Sequence, residues 1–250
     1  MAKRRDHPGR RFLNFDKMPS VWCSGCGIGI VVNTFVQALQ KISIPGEKIQ
    51  LVSTGLGCTG KISGYVKLNS IQSAGQDPFL TALNGPGKNQ DTKTIIFFQD
   101  SDILVHGLEG LKQACRSGEN LMGVYINGFI FHTLSLHKKS PGFSSSGLFN
   151  LPYFAFRSGA SVIARWTPLH CRRLSSSLRA GLLNPGFSFL EVISPCLMYY
   201  ASADNQTKTL DRMALFLNNA CINHCVSWEE LEVRDIRKFS VGHFLEKNNS

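Results

Sequence analysis

The sequence predicts an α/β protein with a parallel sheet flanked by helices. Short apolar runs, such as Thr94–Phe98 and Leu121–Ile126, alternate with helix-period segments, such as Ile28–Gln40 and His170–Leu183. The runs are continuous, as in strands covered on both faces. Polar and glycine-rich residues follow several of them, and in such sheets ligands gather at the strands' carboxyl ends.

Composition narrows the classes further. The chain has 250 residues, 43% of them hydrophobic and 18% charged, which excludes wholesale disorder. Lys and Arg number 27 and Asp and Glu 17, a net charge of +10. That balance suits nucleic acid, an anionic ligand or an acidic protein as partner. The start, Met1 to Arg11, is basic with no apolar core behind it, so it does not read as a secretory signal. Apolar runs such as Ile28–Val32 fall far short of the ~20 residues of a membrane span. A soluble, cytoplasmic protein is expected. Its eight cysteines are then free thiols or ligands of a metal or cluster.

In order, residues 1–12 form a basic tail, 13–200 an α/β domain and 201–250 a C-terminal helical, charged extension. A glycine-rich turn leads into the helix Ile28–Gln40. Gln50–Ser53 is a strand, ending at Thr54-Gly55-Leu56-Gly57. Residues 69–92 are polar and glycine-rich and read mostly as loop. The strand Thr94–Phe98, the helix Gly107–Ser117 and the strand Leu121–Ile126 follow. Lys138–Gly147 is a loop of Ser, Gly and Pro. Ser161–Trp166 is a strand, His170–Leu183 a basic helix and Phe187–Ile193 a strand ending at Cys196. Leu210–Cys225 has helical spacing.

Four constellations carry candidate chemistry. Cys23-Ser24-Gly25-Cys26 can aim two thiolates at one centre, or be half a zinc knuckle or a redox dithiol. Cys58 and Cys196 each follow a strand, so a parallel sheet can bring them to the same edge. Four thiolates suit a [4Fe–4S] cluster or a zinc site. Gly55-Leu56-Gly57-Cys58-Thr59-Gly60 satisfies G-x-G-x-x-G, but a poor helix follows and no acidic residue closes the next strand, which weakens a dinucleotide reading. Gln99-Asp100-Ser101-Asp102 offers carboxylates for Mg²⁺, or simply a helix cap. Asn127 offers an amide oxygen, although an Asn-Gly turn is the plainer reading. Cys221-Ile222-Asn223-His224-Cys225 mixes zinc-type ligands but reads better as a core-facing helix. Neither His132 nor His137 has a local partner that makes it a base.

Taken in order, these blocks resemble the beta subunits of 2-oxoacid:ferredoxin oxidoreductases, which are thiamine-diphosphate enzymes. Val21-Trp22-Cys23-Ser24-Gly25-Cys26-Gly27 resembles the family's W-C-P-G-C-G. Thr54–Lys61 with Gly64-Tyr65 resembles its G-I-G-C-S block. Gly159–Arg165 resembles G-A-x-x-V-A-R, and Gly186–Cys196 resembles G-F-S-F-I-E-V-x-S-P-C. The likeness runs from Val21 to Cys196.

The resemblance implies the diphosphate-binding half of the thiamine-diphosphate-binding fold. It implies a [4Fe–4S] cluster on Cys23, Cys26, Cys58 and Cys196. For thiamine diphosphate it implies a site at Gly57, Asp100, Ser101, Asp102, Asn127 and Phe129, with Asp100 and Asn127 as Mg²⁺ ligands. Lys61 takes the place of a basic residue near the anionic substrate. The implied reaction turns a 2-oxoacid and coenzyme A into acyl-CoA and CO2, with electrons passing through the cluster to ferredoxin. An alpha subunit of the same oxidoreductase would complete the site, and the chain alone would be inactive. The +10 charge suits an acidic ferredoxin.

The chain also departs from the pattern. Gln99 and Ser101 replace the glycines of G-D-G, and Ala74-Gly75-Gln76 stands for H-G-R. Asn127-Gly128-Phe129-Ile130-Phe131-His132-Thr133 stands for N-x-I-Y-G-M-T. Asn127 reaches the ligand position only with a one-residue deletion after Asp102; otherwise Gly128 stands there. The family's G-G-Q-x-S-P loop survives as Ser140-Pro141. An alternative is therefore a non-catalytic homologue that keeps the cluster as relay or staple. A zinc-stapled scaffold or a nucleic-acid binder using Arg172, Arg173 and Arg179 is a third reading, with no nucleic-acid motif to support it.

Overall fold

The computed structural model describes residues 8–85, 91–130, 150–200, 209–233 and 237–247. The strands are β1 (Ile49–Ser53), β2 (Asn69–Gln72), β3 (Lys93–Gln99), β4 (Leu121–Asn127), β5 (Val162–Trp166), β6 (Ser188–Ile193), β7 (Ala220–Ile222) and β8 (Phe239–Glu246). The helices are α1 (Gly27–Gln40), α2 (Ile62–Tyr65), α3 (Pro78–Asn84), α4 (Asp100–His106), α5 (Glu109–Arg116), α6 (Leu151–Ser158), α7 (Cys171–Leu183), α8 (Leu197–Tyr200) and α9 (Thr209–Asn218).

The strands form one sheet in the order β2-β1-β3-β4-β6-β5-β8-β7. Its first six strands pair in parallel, as the apolar runs predict. β8 runs antiparallel to β5, with a register shift at Ile163/Ala164. Alternate side chains of β3 feed opposite layers. Ile95 and Phe97 join the cluster containing α1 and α7, whereas Ile96 and Phe98 join Phe79, Leu111 and Ala155 of α3, α5 and α6. No helix among the described residues is long and apolar enough to cross a membrane.

Several expectations need correction. Residues 69–92 hold β2 and α3 rather than mostly loop. The signal for α3 was local: Asp77 caps it, accepting from the N–H groups of Phe79 and Leu80, and Pro78 opens it. The segment Leu210–Cys225 is not one helix. α9 stops at Asn218, β7 follows, and Cys221 and Cys225 are exposed rather than core-facing. His132, His137, Ser140 and Pro141 lie outside the described residues.

Connections, not composition, place the site. The chain leaves β1 for β2 on one side and leaves β3 for β4 on the other. The crevice between the carboxyl ends of β1 and β3 is therefore a topological switch point, where such sheets bind ligands.

Candidate functional site

The four candidate cluster cysteines reach this rim from three loops. In the first, Cys26 N–H donates to Cys23 O (2.9 Å), and Gly25 turns the chain at φ 81° before α1 begins at Gly27. In the second, after β1, Ser53 Oγ donates to Gly60 O (2.6 Å) and Trp22 Nε1 donates to Cys58 O (3.0 Å). The indole thus ties the first loop to the second. In the third, pairing with β4 continues past the end of β6. Ser194 N–H donates to Asn127 O (2.9 Å) and Cys196 N–H to Gly128 O (3.0 Å).

Electrostatics shows that the thiols share one environment. Burial pushes the Cys26 pKa up, the Ile28 amide pulls it down, and the thiols of Cys58, Cys23 and Cys196 raise it further. Cys58 is raised by burial and then by Cys196, eased by the Lys61 ammonium, and raised again by Cys23. Mutual repulsion of this kind is relieved by a cationic centre. None of the four is in a disulfide; Cys23 and Cys58 are exposed, and Cys26 and Cys196 half-buried. Among the described residues, no group of three or more His, Cys, Asp or Glu side chains is arranged around a single metal ion.

The β1/β3 crevice behaves differently. Asp100 is 0% exposed. One of its oxygens accepts from the Tyr125 hydroxyl; the other accepts from Gly128 N–H (2.9 Å) and Ile130 N–H (3.4 Å). Burial raises its pKa to about 6 against the pull of these three donors. Asp102 is also buried, and it closes a capping box by accepting from Gln99 N–H (2.8 Å). Burial raises its pKa to about 6 as well. Gln99 lies against Gly57, so that a Cβ on Gly57 would fall on its amide nitrogen. Gln99 Oε1 accepts from Thr59 N–H (3.3 Å), and its Nε2 donates to Ser101 Oγ (2.9 Å).

The Asn127 amide is engaged by neighbours other than Asp100. Its Nδ2 donates to Glu191 Oε1 (2.7 Å) and its Oδ1 accepts from Phe129 N–H (3.0 Å). Phe129 is held at φ 58°, with its ring buried near that of Phe216 (5.5 Å between centroids). The residue facing Asp100 is Gly128, whose Cβ would stand 2.8 Å from Asp100 Oδ2. The Asn127 amide is thus spent on Glu191 and Phe129, whereas Asp100 meets the backbone of Gly128. A Mg²⁺–diphosphate pair does not fit these side chains as they stand: the Asp100 carboxylate already accepts three hydrogen bonds, the Asn127 amide is engaged by Glu191 and Phe129, and Gln99 lies against Gly57.

Lys61 is exposed at the end of the short turn Thr59–Lys61, on the cluster side of the rim. Sequence reasoning missed the buried ion pair beneath the site. Arg165 Nε donates to Glu191 Oε2 (2.6 Å), with exposures of 0% and 2%. Arg165 Nη1 also donates to Leu231 O (2.8 Å) and Ser240 O (3.4 Å), which ties the C-terminal segment to Asn127 through Glu191. A charged residue inside each of two apolar strands was the available signal.

No family model matches the chain. It is 30% identical to the 2-oxoglutarate synthase subunit KorB of Methanocaldococcus jannaschii, over 96% of this chain and 92% of that protein. The subunit of the same name from Methanothermobacter marburgensis is 29% identical, over 86% and 79%. A 2-oxoacid:ferredoxin oxidoreductase subunit beta of Saccharolobus solfataricus is 24% identical, over 71% and 62%. Among solved structures, a chain of the 2-oxoglutarate:ferredoxin oxidoreductase from Magnetococcus marinus, solved with 2-oxoglutarate, coenzyme A and succinyl-CoA bound, shares the fold. It superposes with a TM-score of 0.71 at 16% identity, covering 100% of this chain and 88% of that one. Likeness that runs through all three cysteine loops and nearly the full length of the chain means that it belongs to the beta subunits of the 2-oxoacid:ferredoxin oxidoreductases.

Proposed function

We propose that this chain is the electron-relay subunit of a complex that oxidises a 2-oxoacid to acyl-CoA and CO2 and reduces a ferredoxin. The meeting of Cys23, Cys26, Cys58 and Cys196 at one rim carries the reading. These four thiolates would hold a [4Fe–4S] cluster, which takes up and releases single electrons. The protein's part is to fix its ligands. Trp22 locks the Cys58 loop to the Cys23–Cys26 turn, and β4–β6 pairing fixes Cys196 from the backbone. Exposure of Cys23 and Cys58 leaves the centre within reach of an electron acceptor, and the net charge of +10 favours an acidic one. Lys61 offers a cation to the substrate carboxylate. An alpha subunit completes the complex, consistent with the beta-subunit naming of relatives. Because Mg²⁺–diphosphate does not fit, the relay role is drawn without thiamine diphosphate on this chain.

A catalytic reading, with thiamine diphosphate and Mg²⁺ bound here, has one observation in its favour: likeness to 2-oxoglutarate synthase subunits over nearly the whole chain. Calorimetry separates the two. The relay itself is tested on the anaerobically purified complex by iron and sulfide analysis and by electron paramagnetic resonance after reduction. About four irons per chain are expected, lost on Cys58→Ser. Zinc or no metal on the four cysteines would overturn the proposal.

A further inference from the structure

We infer that the β1/β3 crevice is a closed joint that braces the Cys58 loop, and no longer a Mg²⁺–diphosphate site. The inference rests on the relay reading for its brace and on geometry alone for its closure. Three independent contacts close the crevice. The Gln99 side chain bridges it, accepting from Thr59 N–H on the β1 side and donating to Ser101 Oγ at the start of α4. Asp100, fully buried, spends both oxygens on Tyr125, Gly128 and Ile130. Gly128 stands where a side-chain amide would meet Asp100, while the Asn127 amide is held by Glu191 and Phe129. A diphosphate needs close backbone approach and free amide donors, and Mg²⁺ needs open oxygen ligands. Here the Thr59 amide and both Asp100 oxygens are already engaged by the chain itself.

Closure also gives the crevice a new role. Thr59 is the residue after Cys58, and its N–H is held by Gln99 from the neighbouring strand. Gln99 is thus a positioning residue for Cys58: it fixes the loop across the switch point, as Trp22 does from the other side. The carbon chemistry of the complex then falls to another chain that carries an open diphosphate site.

The experiment has two arms on the anaerobic, cluster-loaded complex. In calorimetry with Mg²⁺ and thiamine diphosphate, and separately with Mg²⁺ and pyrophosphate, this chain is expected to bind neither with a Kd below about 1 mM. The cofactor site of any second beta-type chain is saturated beforehand. Saturable, Mg²⁺-dependent binding to wild type that is lost in Asp100→Asn would overturn the closure, whether or not the relay is correct. In the second arm, iron loss to a colorimetric chelator is followed. Gln99→Gly is expected to lose iron about threefold to tenfold faster, the worth of one net hydrogen bond. Gln99→Glu, which keeps an acceptor for Thr59 N–H, is expected to restore the wild-type rate. Equal rates in wild type and Gln99→Gly would overturn the brace. Absence of iron from wild type would overturn the relay, and the brace with it, but not the closure.

Discussion

Removing the Glu191 carboxylate should destabilise the chain more than any surface change. Arg165 is wholly buried, and its charge is balanced at 2.6 Å by Glu191, itself 2% exposed. Without that partner the guanidinium keeps only two carbonyl acceptors, at 2.8 and 3.4 Å. An uncompensated buried charge costs about 3–5 kcal/mol. The Asn127 amide also loses its acceptor, about 1–3 kcal/mol if taken alone. The two losses belong to one network and do not add in full. A net loss of about 4 kcal/mol is therefore expected for Glu191→Ala. For a chain of this size that lowers Tm by roughly 8–16 °C. Urea and thermal unfolding followed by circular dichroism measure it. The double variant Arg165→Met, Glu191→Leu removes both charges and should recover most of the loss, because a buried pair replaced by apolar groups is often neutral. A loss below about 1 kcal/mol in Glu191→Ala, or a double variant no more stable than the single one, would refute the argument.

Other outcomes follow from the same coordinates. A Cβ on Gly27 would fall on Ser194 Oγ and within 2.6 Å of Pro168. Gly27→Ala should thus cost about 1–3 kcal/mol and lower iron content, because it pushes α1 away from the Cys196 loop; melting and iron assay check it. Cys115 is buried with its thiol raised to about 12, chiefly by burial. Cys115→Ser should leave iron content unchanged where Cys58→Ser abolishes it. Lys93 is buried, and burial lowers its pKa from 10.5 to about 7, although Asn184 O and Gly186 O accept from its ammonium. Between those values the unfolded chain binds a proton that the folded chain does not, so stability should rise with pH across the window. Urea midpoints from pH 7 to 9 should climb in wild type and stay flatter in Lys93→Met.

The central sheet was legible because its strands bury both faces. Thr94–Phe98 and Leu121–Ile126 read as continuous apolar runs whatever packs on them, and they became β3 and β4. β2 was not legible: Asn69, Ser70 and Gln72 are exposed, so its strand character lies in backbone pairing with β1 alone. β8 pairs antiparallel with a strand far away in sequence, which local pattern cannot show. The cysteine loops could be placed from chain order, since Cys58 and Cys196 follow strand ends and Cys23 and Cys26 precede a helix start. Closure of the crevice was only half legible. The replacement of two glycines by Gln99 and Ser101 could be read, but the meeting of Gln99 with Gly57 and Thr59 is a tertiary fact. The meeting of Gly128 with Asp100 is likewise a tertiary fact that residue types leave open.

The two borders of the sheet carry a consequence for assembly. One border is β2, four residues with three exposed and polar; the other is β7, three residues long. Border strands this short offer few main-chain groups for another chain to pair with, and so resist runaway edge-to-edge aggregation. A neighbour gains little by lengthening such a sheet sideways. Of the exposed large apolar side chains, Ile222 lies on border strand β7, whereas Val21, Leu104, Val105 and Met198 lie off the sheet. Quaternary contacts that would extend this sheet sideways are thereby disfavoured.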